Sequence, residues 1–248
     1  MRTYKLTIAY DGSRFRGWQR QPDTDLTIQG ILERIISGQV GYEVEVNGSG
    51  RTDAGVHASG QTASIVLAGQ IEELRFRGEL NRQLPEDIRV LDVQLVKNGF
   101  HARYKAKGKH YIYTIDRGER PDVFTRKYAW HFPDKLDVEQ MRCAAKALTG
   151  LHDFTSFTDR DDEKSKVRKV YRIDIEETGS KLMIHYEGTG FLYHMVRILT
   201  GTLLDVGTGR VKPEEIRAIL EAEDRQRAGQ LAPALGLCLR EVYYNKER

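Results

Sequence analysis

An α+β fold built on antiparallel sheet is predicted by three features of this sequence. Alternating apolar and polar residues recur along the chain, helical spacings fall between only some of these stretches, and the serial strand–helix alternation of a parallel sheet is missing. Roughly the first hundred residues read strand-helix-strand-strand-helix-strand, the split βαβ order of a ferredoxin-like unit.

In chain order, Tyr4, Leu6, Ile8 and Tyr10 alternate with Thr3, Lys5 and Thr7, which predicts a half-buried strand over residues 3–10. Asp11-Gly12-Ser13 breaks it. Thr27 is placed to cap a helix whose apolar face is Ile28, Ile31, Leu32, Ile35 and Ile36. Tyr42, Val44 and Val46 predict a short strand, Gln61–Leu67 another, Glu72–Leu84 a helix stopped before Pro85, and Ile88–Val96 the next strand. Beyond the basic stretch ending at Lys109, His110–Ile115 alternates with Tyr111 and Tyr113 on one face, and Tyr128–Phe132 is a candidate partner strand. Val138–Leu148 reads as a helix stopped at Gly150, and Val167–Ile175 with Leu182–Tyr186 as a hairpin around Thr178-Gly179-Ser180. An apolar helix is predicted over Phe191–Leu204, a second from Pro213 to Ala222, and a closing strand over Leu237–Tyr243.

The composition, 40% hydrophobic and 30% charged over 248 residues, is that of a globular protein, with no run long enough for a membrane span. An N-terminus that runs straight into a strand pattern, without a signal-peptide core, predicts a cytoplasmic protein. Cys143 and Cys238 are expected to be reduced and structural. The seven histidines form no metal-ligand spacing with each other or with cysteine, so no metal site is read. Net charge is only +3, but cations cluster with aromatics in places. Arg14, Arg16 and Arg20 interleave with Phe15 and Trp18; Arg103, Lys105, Lys107, Lys109 and His110 interleave with Tyr104 and Tyr111; Lys164, Lys166, Arg168, Lys169 and Arg172 form a third cluster. One such cluster is ordinarily a solvated face, but three together point to an RNA backbone with bases to stack.

The densest chemical signal is Asn47-Gly48-Ser49-Gly50-Arg51-Thr52-Asp53-Ala54-Gly55-Val56-His57-Ala58. Its glycines permit close approach of main chain to a ligand. Arg51 offers a donor fork suited to phosphate, and Asp53 is the sole carboxylate between Glu45 and Glu72. A carboxylate beside a guanidinium suits a nucleophile, a general base or a structural ion pair. A nucleotide-hydrolase phosphate loop is excluded, because the required lysine is missing. His57 reads as a packing or hydrogen-bonding residue of the loop.

The run from Gly50 to Ala58 resembles the signature of the tRNA pseudouridine synthase A family. The resemblance extends over nearly the whole chain, through Gly17-Trp18-Gln19-Arg20-Gln21, Phe100-His101-Ala102-Arg103, Lys109-His110-Tyr111-Ile112-Tyr113 and Gly188–Arg197. A C-terminal block, Ala232-Pro233 to Leu239, also resembles the family's, although Ala234-Leu235 departs from the commoner Pro-His-Gly. What the resemblance implies is specific. Asp53 is the catalytic nucleophile, Arg51 holds the flipped nucleotide or fills its place, Tyr111 stacks on the base, and Arg197 is the aspartate's basic partner. The fold implied is two ferredoxin-like (RRM-like) halves, residues 1–105 and 106–248, forming one extended, mainly antiparallel sheet with a central active-site cleft.

The reaction implied is isomerisation of uridine to pseudouridine in the anticodon arm of tRNA, at positions 38–40, by a homodimer. It involves no redox step and no net hydrolysis, so neither metal nor organic cofactor is expected. Flipping the base costs roughly a few kcal/mol, of which an aromatic face recovers about 1–3 kcal/mol. Two other readings use the same residues: a non-catalytic module that binds tRNA through its basic clusters, and a carboxylate hydrolase. The latter would ordinarily need a second carboxylate or metal ligands near Asp53.

Overall fold

The structure, a computed structural model, describes residues 1–245 and divides into two compact units. The first comprises Met1–Lys107 together with the chain from Cys238 onward; the second comprises Gly108–Leu237.

In the first unit, β1 (Arg2–Tyr10) lies between β4 (Ile88–Val96) and β3 (His57–Leu67), antiparallel to both. Tyr4, Leu6 and Ile8 are completely buried, as their alternation predicts. Thr27 caps α1 (Ile28–Val40) by accepting from the Gly30 amide, and the buried face of that helix is the isoleucine–leucine stripe read in the sequence. Glu72 caps α2 (Glu73–Gln83), whose Phe76 and Leu80 are buried. The last strand, β10 (Leu237–Tyr243), brings Cys238 opposite His57 and Leu239 opposite Ala58, parallel to β3.

The strand expected at Tyr42–Val46 is replaced by a two-residue bridge, β2 (Asn47–Gly48), paired with β3. The alternation there is real, for Val44 and Val46 are buried. Their amides, however, donate to Ser37 Oγ (2.9 Å) and Glu33 Oε1 (3.1 Å), side chains of α1, rather than to a neighbouring strand. Strand β3 begins at His57, four residues before its expected start, so the signature run ends inside it.

In the second unit, β5 (Gly108–Asp116), β9 (Lys181–Gly188), β8 (Val167–Thr178) and β7 (Gly150–Asp153) pair antiparallel in that order. The expected strand Tyr128–Phe132 is reduced to β6 (Trp130–His131), parallel to β5, and the short β7 was not anticipated. Helix α3 (Val138–Ala147) packs on α4 (Met195–Gly207) and on β8. The expected helix start at Phe191 moves to Met195 because His194 adopts a left-handed conformation (φ 63°). The helix read from Pro213 is α5 (Glu215–Glu221). Among the described residues, no helix is long and apolar enough to cross a membrane. Both cysteines are free, and Cys143 is exposed rather than part of a core.

The end of β5 is held by a buried carboxylate. Asp116 accepts from the amides of Gly118 and Asp122 (3.1 Å each) and pairs with Lys181 Nζ at 2.9 Å. Burial opposes its ionisation, but Lys181 and the two amides outweigh that and hold the group at about 2. A depressed carboxyl pKa stabilises the fold above the unfolded value near 3.8, and that contribution is lost as pH falls toward 2. We therefore expect Asp116→Ala to lower stability by about 2 kcal/mol at neutral pH. The deficit should shrink as urea melts are moved from pH 6 to pH 2.5.

Candidate active site

The loop between β2 and β3 is fastened on both sides. Ser49 donates its amide to Thr62 O (2.7 Å) and its hydroxyl to Gln61 Oε1 (2.7 Å), while Gln61 Nε2 reaches Gly50 O (3.1 Å). Farther along, the Trp18 amide donates to Thr52 O (3.0 Å), the Gly55 amide to Phe15 O (3.3 Å) and the Val56 amide to Asp53 O (3.1 Å). Thr52 Oγ1 also bonds the Tyr10 hydroxyl at 2.8 Å, in a buried position. Burial raises the Tyr10 phenol well above its usual range, keeping it a neutral partner for Thr52.

This fastening depends on residues 12–18. Gly12 lies so close to the loop that an added Cβ would sit 2.0 Å from Val56 O. Gly17 has φ 95°, and its Cβ would sit 2.7 Å from Thr52 O. Gly48 lies against the Trp18 indole, with 2.5 Å from an added Cβ to Cε2. The Gly12 amide donates to His57 Nδ1 (3.0 Å), and His57 is 5% exposed, the packing role expected for it.

Asp53 is left half-buried on a loop whose main chain is held from both flanks, with Thr52 buried beside it and Ala54 exposed. Arg51, two residues away, is exposed and donates from Nε to Gln19 Oε1 at 2.9 Å. The structure thus brings Asp53 and Arg51 together on one surface loop. Gln19 as the orienting partner of Arg51 was not legible in the sequence.

Tyr111 and Arg197 lie in the second unit. Tyr111 is on β5, 7% exposed, opposite Tyr186, with its ring edge-on to Phe191 at 5.4 Å. Arg197 sits in the first turn of α4, half-buried, and donates from Nε to Ala232 O at 2.7 Å. That bond ties it to the C-terminal block. Next in the block, Pro233 O accepts the Tyr113 hydroxyl (2.7 Å), and Gly236 touches the Tyr113 ring. Just before the helix, His194 Nδ1 contacts Asp159 Oδ2 (2.5 Å), and Arg225 Nε donates to Asp159 Oδ1 (2.7 Å). Although burial works against it, these two partners hold the Asp159 carboxyl below its ordinary value.

The basic clusters separate once their aromatics are located. Phe15 and Trp18 are each 2% exposed and seat the loop. Arg14 is bound to Asp87, and Arg20 pairs with Glu33 at 3.1 Å. In the third cluster Lys166 pairs with Asp162 and Arg172 with Asp174 and Glu187. Part of the charge read as RNA-facing, that of Arg14, Arg20, Lys166 and Arg172, is thus neutralised within the fold.

Comparison with known proteins identifies the family. Residues 6–105 and 144–245 match the model of the tRNA pseudouridine synthase family. The chain is 45% identical over 245 residues to tRNA pseudouridine synthase A 2 of Bacillus cereus, covering 98% of this chain and 100% of that protein. It is 46% identical over 244 residues to tRNA pseudouridine synthase A of Bacillus subtilis, covering 97% and 98%. With the corresponding protein of Acetivibrio thermocellus it shares 44% over 245 residues, covering 98% and 100%. Matches of this length and identity decide the matter: the chain belongs to the tRNA pseudouridine synthase family.

Proposed function

We propose that this protein isomerises uridine to pseudouridine in the anticodon arm of tRNA, at positions 38–40, with Asp53 as the nucleophile. The observation that carries the reading is the half-exposed Asp53 carboxylate on a doubly fastened loop, inside a chain that matches its relatives nearly end to end. In this reading Arg51 holds the backbone of the flipped nucleotide, Tyr111 provides the aromatic surface for the base, and Arg197 is the site's basic residue. The protein acts in the cytoplasm as a homodimer.

The chemistry follows from the bonds that change. N1–C1′ of the target breaks and C5–C1′ forms, the C5 proton passes to solvent and N1 takes one up, so the mass of the RNA is unchanged. An ionised carboxylate can carry the fragment covalently between the two steps, as carboxylates do at sugar carbons elsewhere. A fastened loop helps because the carboxylate must meet its target without first ordering its own backbone.

The test uses tRNA transcribed with uridine tritiated at C5. Tritium release without loss of RNA length or of free uracil is the expected result. Free base or cleaved RNA would favour a hydrolase, and salt-dependent binding with no tritium release would favour a module that only binds.

A further inference from the structure

Four aromatic residues interleave with the cations of the first two basic clusters, and the structure sorts them sharply. Phe15, Trp18 and Tyr111 are buried, whereas Tyr104 is 75% exposed. An aromatic ring left open to water at the centre of a basic stretch needs an explanation, because such rings are ordinarily covered.

The turn that carries Tyr104 is built, not loose. Ala102 is completely buried, its amide donating to Ser64 Oγ (3.1 Å) and its carbonyl accepting from the Tyr244 hydroxyl (2.8 Å). Phe100 packs its ring on Tyr244 at 5.0 Å. His101 then closes the turn: Nδ1 accepts from the Arg103 amide (3.1 Å) and its carbonyl from the Lys105 amide (3.0 Å). The imidazole lies against the Tyr104 ring with centroids 4.3 Å apart. Arg103 and Lys105 flank the ring, both exposed, and neither makes an ion pair among the described residues.

We infer that Tyr104, with Arg103 and Lys105 beside it, is a stacking platform for an unpaired nucleotide of the RNA substrate, distinct from the uridine that reacts. The ring is pre-set by His101, so little freedom is lost on stacking, and the cations stand where the flanking phosphates would run. Paired bases in an A-form stem do not expose their faces, so the partner is a looped-out or single-stranded residue. The separation follows from β3. Asp53 is bonded to Val56 at the start of that strand, whereas the Tyr104 turn is anchored at Ser64. The seven residue steps of strand from His57 to Ser64 span roughly 20 Å, too far for one nucleotide to touch both.

This inference rests on tRNA being the substrate, and the test separates the two. Kd, KM and kcat for a tRNA transcript would be measured for the unaltered protein, Tyr104→Ala, Tyr104→Phe and the double variant Arg103→Ala/Lys105→Ala. Tyr104→Ala should weaken binding and raise KM roughly ten-fold, with kcat at saturating tRNA unchanged, and Tyr104→Phe should restore both. The double variant should flatten the salt dependence of log Kd by about 0.7 per cation removed. Unchanged Kd and KM in an active Tyr104→Ala protein would overturn the platform while leaving the enzyme reading intact. So would a change in oligomeric state with unchanged RNA affinity, which would assign the ring to a second copy of the chain.

Discussion

Asp53→Asn should reduce pseudouridine formation by roughly 10³-fold or more while leaving tRNA affinity within about two-fold. The amide is nearly the same size as the carboxylate, and the Ser49, Thr52, Gly55 and Val56 contacts that fasten the loop are made by main chain and by neighbouring side chains. The loss would therefore be of a nucleophile and not of a shape. Single-turnover kinetics with excess enzyme check this, since they read the chemical step without product release. Asp53→Asn turning over at the unaltered rate would remove the carboxylate from the reaction.

The second large effect is expected at Gly17. Alanine there must adopt φ 95° and bring a methyl group within 2.7 Å of Thr52 O, the carbonyl that receives the Trp18 amide. Neither the backbone strain nor the overlap has a cheap escape, because Trp18 is buried on one side and Thr52 is bonded to Tyr10 on the other. Gly17→Ala should cost about 3 kcal/mol of stability and displace the Asp53 loop. The checks are a urea melt and a kcat measured where the variant is still folded. Gly38→Ala makes the control: its Cβ would meet nothing within 4 Å, and helix propensity alone predicts a slight gain in stability. Equal behaviour of the two variants would mean that the Gly17 approach is not what holds the loop.

The contrast between these glycines shows where sequence reading succeeds and where it stops. Burial was legible wherever periodicity reports it: Tyr4, Leu6 and Ile8 in β1, and the isoleucines of α1, lie where their spacing puts them. Hydrogen-bond partnership was not. Tyr42, Val44 and Val46 alternate like a strand, but α1 side chains take the amides of Val44 and Val46, and periodicity carries no trace of that. Likewise nothing local announces that His194 will turn left-handed and delay α4.

For the site, Asp53 and Arg51 stood out because a short, specific run carries them, and the structure adds why the run works: the opening stretch from Gly12 to Trp18 is its clamp. The same stretch, rich in arginine and aromatics, had suggested RNA contacts. Composition cannot distinguish Trp18, shut beneath Gly48, from Tyr104, open on its turn; only the packing of Ala102 against Ser64 and Tyr244 separates them.

The most direct measurement is site-resolved pseudouridine mapping of bulk tRNA from cells with the protein, without it, and with Asp53→Asn restored in its place. The account predicts pseudouridine at positions 38–40 in the first, and uridine there in the other two. Pseudouridine persisting at those positions in cells carrying only the Asp53→Asn protein, and vanishing in cells with none, would contradict it.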